Sequence, residues 1–220
     1  MKGVYERRTP QPKYSVIWDA SKVLNYLASL HPLKDLSLKD LTHKLLMLLL
    51  LVTGQRGQSI HMLTLEHMTL TESACDFQLP GHTKTSKPGQ PALSISVQKF
   101  APDPKICPLK ALQEYLDRTQ ELRSGEQRLF ISFVRPYKAV SRDTISRWTK
   151  TVLRNAGIDT TQFTSHSTRA AVASKAKQKE VPLDVILSHV GWRSADTFKK
   201  FYDKPVLSNC TDLASVILHS

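Results

Sequence analysis

The run Leu45-Leu46-Met47-Leu48-Leu49-Leu50-Leu51-Val52, following Lys44, is the feature that most restricts how this chain can fold. Eight residues are far short of the roughly 20 needed to cross a bilayer. A helix apolar on most of its faces must therefore lie at the centre of a core with other elements around it. Ser37-Leu38-Lys39-Asp40 supplies a Ser-x-x-Asp start, which predicts a helix from Ser37 to Val52. A chain of 220 residues with 8 glycines is long enough to close one substantial core around it.

Lys and Arg outnumber Asp and Glu 31 to 19, a formal charge of +12, which favours a polyanionic partner, nucleic acid before an anionic membrane. Cys75, Cys107 and Cys210 are widely spaced, form no CxxC pair and are odd in number, which suits a reducing compartment better than a disulfide framework. The start, MKGVYERR, lacks the apolar stretch of a signal peptide, so an intracellular protein is expected.

Residues 1–15, with Pro10 and Pro12, read as a flexible entry or linker remnant. A helix is predicted over 18–30, closed by His31-Pro32. Residues 75–79 and 93–97 alternate with period two and predict strands, joined by the basic, Gly- and Pro-containing segment 81–91. Pro108 suits the first position of a helix over 109–122, and residues 128–133 predict a short strand. Four further helices are expected. Ser141 caps one ending near Asn155-Ala156-Gly157, and Thr164 or Ser165 caps one reaching Gln178. Pro182 opens one ending at Gly191, and Ser194 caps one carrying Tyr202. The fold class predicted is mainly α with a small antiparallel β-sheet.

Three segments offer chemistry toward a phosphodiester. Arg56, in Thr53-Gly54-Gln55-Arg56-Gly57-Gln58, follows the buried helix, and its flanking glycines would admit a phosphate; alone, such an arginine is more often solvated or paired with an acid. His166-Ser167-Thr168-Arg169 places imidazole and guanidinium three apart on one helix face near a positive N-terminus; the bland alternative is a capping histidine and a surface arginine. The third segment, Gly191-Trp192-Arg193 through Phe201-Tyr202, pairs an indole N–H with a tyrosine at the end of an aromatic, basic helix, or simply supplies core aromatics.

Their order changes the balance. An arginine after a buried helix, a lysine in a strand-linked turn, His-x-x-Arg, Gly-Trp and a downstream Tyr resemble the signature of the tyrosine recombinase or phage integrase family, over roughly residues 40 to 203. The stretches HTKTSKPG, TSHSTRAA and GWRSADTFKKFY look most like the recombinases of DIRS-type retrotransposons and Cryptons.

The resemblance implies that Arg56 and Arg169 clamp the scissile phosphate through planar, permanently charged guanidinium groups. It implies that Lys84, with Lys87 as fallback, protonates the leaving 5′ oxygen, that His166 acts as base or hydrogen-bond partner, and that Trp192 donates its indole N–H. Tyr202 would attack phosphorus to form a 3′-phosphotyrosyl bond, conserving bond energy for religation without ATP. No cofactor or metal is implied. Lys87, His189 and Arg193 are further candidate DNA contacts, and His189 competes with Trp192 for its role. Ser59 departs from the pattern, standing where many integrases carry an acid three positions after the first arginine.

The same resemblance places a catalytic domain at 16–206, without most of the upstream clamp that family members use to encircle DNA. Residues 207–220 form an amphipathic helical tail that docks on a neighbouring protomer or on its own domain. The implied partners are double-stranded DNA and further copies of the chain, as a dimer or tetramer on DNA, with no membrane. The nucleus is the expected location in a eukaryote and the cytoplasm in a bacterium. A catalytically silent DNA-binding or interaction protein and a type IB topoisomerase are the rival readings.

Overall fold

A computed structural model describes residues 13–79, 94–191, 195–201 and 203–207. In chain order these form β1 (Ile17–Trp18), α1 (Ala20–Ser29), α2 (Leu38–Thr53), α3 (Gly57–His61), β2 (Met68–Leu70), β3 (Ala74–Gln78), β4 (Ser94–Gln98) and α4 (Pro108–Thr119). There follow α5 (Arg142–Asn155), α6 (Ser167–Gln178), α7 (Leu183–Val190), α8 (Ala195–Phe201) and β5 (Val206–Leu207). The fold is mainly helical with a small antiparallel sheet, as the sequence patterns predict. The chain divides into two compact units, one of Ala20–Arg169 and one of residues up to Asp19 together with those from Ala170 on.

In the first unit the apolar run takes its central place. Leu41, Leu45, Leu46, Met47, Leu48 and Leu49 are fully buried in α2, which packs against α4, α5, α3 and β4. The Ser37 hydroxyl accepts the Asp40 N–H at 3.1 Å and so satisfies a donor that the helix start leaves free. Lys44, surrounded by this core, donates its ammonium to the Leu30 carbonyl. Gly54 closes α2 at φ +59°, a conformation that costs a residue without Cβ little, and its N–H donates to Leu50.

β3 lies between β2 and β4, antiparallel to both. Its register pairs Cys75 with Val97 and Phe77 with Ile95, so that one apolar face is formed by cross-strand neighbours, and β4 packs on α2 and α4. Tyr115 and Arg123 then organise the stretch beyond α4. The Tyr115 hydroxyl accepts the Ile131 N–H at 3.1 Å, and Arg123 donates to the Arg128 and Leu129 carbonyls at 2.7 and 2.9 Å.

The second unit has a smaller apolar cluster of Ala173, Ile186, Val190 and Phe198. Its β1 and β5 pair in parallel, Ile17 with Val206 and Trp18 with Leu207. Ion pairs join Lys175 to Asp19 at 3.2 Å and Lys177 to Asp203 at 2.5 Å.

Several expectations need correction. Trp18 lies in β1 and the helix begins only at Ala20, because a strand partner near the other end of the chain claims residues 17 and 18. Residues 128–133 make only isolated bridges, Thr64 with Arg128 and Ile131 with Ala139, since Arg123 and Tyr115 hold their backbone groups. α4 stops at Thr119, before the expected 122. β2 had no counterpart in the sequence reading. α6 begins at Ser167, and the Ser165 hydroxyl bonds to Ser146. Leu207, expected to open a helical tail, is in β5; the rest of the tail, residues 208–220, lies outside the described residues, as do residues 1–12 of the flexible entry.

Candidate functional site

The elements around Gly54 bring two of the three sequence motifs together. At the end of α2 the Thr53 hydroxyl donates to the Leu49 carbonyl at 2.6 Å and accepts the Gln55 N–H at 3.3 Å, which fixes the turn leading to Arg56. Arg56 occupies the extended residue before α3 and is half-buried. Arg169, in the first turn of α6, is 4% exposed, and its guanidinium donates to the Gly54 carbonyl at 3.2 Å across 115 positions of sequence. Burying a permanent charge is costly unless its donors are occupied, and the Gly54 carbonyl occupies one of them. Gly54 terminates a helix, and Gly57, where a Cβ would meet Ile145 at an ordinary 3.7 Å, lines the cavity beside Arg56.

Beside this turn lies a cavity of about 330 Å³. Arg56 and Gln58 form one wall, Arg142, Asp143 and Ser146 of α5 a second, Ser165 and His166 a third, with Leu50 at its base. His166 is exposed. Ser59, in the place of an acid, is buried.

A second cavity of about 400 Å³ shares Gln58, Arg142 and Asp143 with the first and adds His61 and Arg128. His61 donates Nε2–H to the Val140 carbonyl at 3.0 Å, and its burial pushes the imidazole pKa below the usual value. Three arginines therefore border two adjoining cavities in the first unit. A wider depression of about 1060 Å³ over residues 121–138 is lined by Glu121 and Glu126 as well as Arg135 and Lys138, and its buried arginine, Arg123, is committed to backbone carbonyls.

Arg142 and Ser146 escaped the sequence reading. The available signal was their spacing, four apart in a helix whose cap, Ser141, was recognised; its hydroxyl accepts the Thr144 N–H at 3.2 Å. His189 is exposed on α7 in the second unit. Lys84 and Lys87 fall between β3 and β4, in the segment 80–93, and with Trp192, Arg193 and Tyr202 lie outside the described residues. Among the described residues no group of three His, Cys, Asp or Glu is placed to hold a metal ion, and no helix is long and apolar enough to cross a membrane. Cys75 and Cys107 are buried free thiols.

Comparison with known proteins follows the same lines. Among curated proteins none is similar enough to be matched. Among solved structures, the XerH site-specific recombinase bound to difH substrate superposes with a TM-score of 0.64 at 16% identity, over 86% of this chain and 50% of that one. XerA recombinase gives 0.63 at 18% identity, over 96% and 66%. A lambda integrase dimer bound to a COC′ core site gives 0.55 at 17% identity, over 93% and 52%. The chain thus spans about half to two thirds of the length of these structures, and at such identities the likeness is one of fold. The sequence model of the phage integrase family matches residues 21–205, most of the chain, and the chain belongs to that family.

Proposed function

We propose that this chain is the catalytic part of a site-specific DNA recombinase that cuts and rejoins strands through a 3′-phosphotyrosyl bond at Tyr202. The observation that carries the reading is the junction at Gly54. Arg169 is tied to its carbonyl, while Arg56 and His166 meet at the cavity beside it. Arg56 and His166, gathered from separate motifs, line that cavity and offer donors to the charge that develops on a phosphorane, and Arg169 is buried nearby on the Gly54 carbonyl. A tyrosine with an ordinary pKa of about 10 needs such help to attack at neutral pH.

Lys84 is the proposed acid toward the leaving 5′ oxygen, and Trp192 the donor that completes the phosphate shell. Lys87, His189 and Arg193 are proposed to contact DNA. The basic charge of the chain and the family membership support double-stranded DNA as substrate, with two or four protomers assembled on it. The GWRSADTFKKFY and HTKTSKPG stretches support a mobile-element recombinase of the DIRS or Crypton kind, acting in the nucleus of its host. We place the catalytic domain at 16–206, after a short entry segment and before a C-terminal tail at 207–220.

The test is incubation with nicked suicide duplexes carrying candidate element ends, resolved on denaturing gels. A covalent adduct that vanishes in Tyr202→Phe is expected. DNA binding without any adduct would instead favour a silent binding module, and relaxation of plasmid without strand exchange a type IB topoisomerase.

A further inference from the structure

Two serines on the wall of the 330 Å³ cavity are paired with each other in a way the phosphate clamp does not use. The hydroxyl oxygens of Ser146, in α5, and Ser165, immediately before His166, are 2.7 Å apart. The turn that presents His166 is tied on its other side as well. The Ser167 hydroxyl and N–H donate to the Thr164 carbonyl at 2.7 and 2.9 Å, and the Thr168 hydroxyl donates to the Ser165 carbonyl at 3.0 Å.

The anchor for the pair is firm. Ile145, Trp148 and Thr149 of α5 are buried, and the Thr149 hydroxyl donates to the Ile145 carbonyl at 2.8 Å. Arg142 lies one helical turn before Ser146 on the same face and lines the same cavity.

We infer that Ser146 is a positioning residue for His166: through Ser165 it fixes the turn that carries the imidazole relative to Arg142 and Arg56. The inference rests on the recombinase reading of the site and adds to it a residue that touches no reacting atom. An exposed histidine on a turn tied only within itself could shift as a unit relative to α5, and a misplacement of about 1 Å can slow a reaction by up to about a hundredfold. A neutral hydroxyl pair can hold the turn without adding a charge that would compete for the phosphate.

The test uses single-turnover adduct formation on a suicide duplex by the full chain. Ser146→Ala should slow the adduct about tenfold while duplex affinity stays within about twofold, and Ser146→Thr, which keeps the hydroxyl, should restore the rate. Ser165→Ala should match Ser146→Ala, and the double variant should be no slower than either, the sign of one shared interaction. Additive losses, or loss of affinity with an unchanged adduct rate, would overturn the inference.

A second readout needs no activity. The ring resonances of His166, identified by their loss in His166→Gln, should move in Ser146→Ala and return in Ser146→Thr. If the wild-type chain forms no adduct, the recombinase reading falls and these resonances alone decide. Movement and return uphold the positioning pair, and resonances unmoved by Ser146→Ala refute it.

Discussion

Among the described residues, the unit of residues 20–169 and the unit of residues up to Asp19 together with those from Ala170 on are held by different contacts. In the first, a sixteen-residue helix with most of its residues buried is surrounded by helices and a sheet, and buried arginines and hydroxyls bind backbone carbonyls. Among the described residues of the second, an apolar cluster of Ala173, Ile186, Val190 and Phe198 is flanked by the partly buried Ala176, Val181, Leu183 and Leu187, together with a two-residue ladder whose Ile17 and Trp18 are buried and side-chain ion pairs. Arg56, Arg169 and His166, the residues proposed to meet a phosphate, all belong to the unit of residues 20–169. The proposed nucleophile, Tyr202, lies outside the described residues.

Substitutions can break or sharpen this contrast. The largest effect is expected from Arg169→Ala, which removes a buried donor and leaves the Gly54 carbonyl without it; adduct formation should fall about 10² to 10³-fold in single-turnover assays. Next comes Leu48→Ala in α2, which should cost about 2–5 kcal/mol in urea unfolding. By contrast Val190→Ala in the second unit's cluster should cost about 1.5 kcal/mol. Equal losses at both positions would undo the contrast.

The pH dependence of stability tests the first unit in another way. His43 packs on Phe133 and Trp148 at 5.7 Å between ring centroids, its Nε2 has no hydrogen-bond partner among the described residues, and burial lowers its pKa to about 4. The folded state thus favours the neutral ring. Its contribution is complete above the unfolded value near 6.5, declines as pH falls below it, and is gone below about pH 4, a loss of at most ~3 kcal/mol. His43→Phe should flatten that part of the profile in urea midpoints measured from pH 7 to 4. Smallest of all, Lys177→Gln should change stability by less than about 1 kcal/mol, because its partner Asp203 and Lys177 itself are both solvated.

Much of the helical frame was legible because local chemistry decides it. Ser37 and Ser141 cap where the sequence places them, Pro108 opens α4, and Gly191 ends α7 at φ +73°. Trp18 misled because its periodicity suits a helix while its strand partner, Leu207, is far along the chain and invisible to any local window. The segment 128–133 has strand-like residues, but side-chain bonds from Arg123, five positions before Arg128, and from Tyr115, 16 positions before Ile131, occupy its backbone. At the site, motif order pointed to Arg56, His166 and Arg169, which the first unit brings around Gly54. Motif order could not reveal Arg142 and Ser146, whose relevance comes from the packing of α5 beside that turn and from no pattern of their own.

The most direct test of the account is the chemical identity of the covalent link. The adduct formed on a suicide duplex is digested with nuclease and trypsin and its peptides are weighed. The account predicts a nucleotide on the C-terminal peptide that begins at Phe201, whose single tyrosine is Tyr202. A nucleotide on any other peptide, or an adduct that persists in Tyr202→Phe, would contradict it.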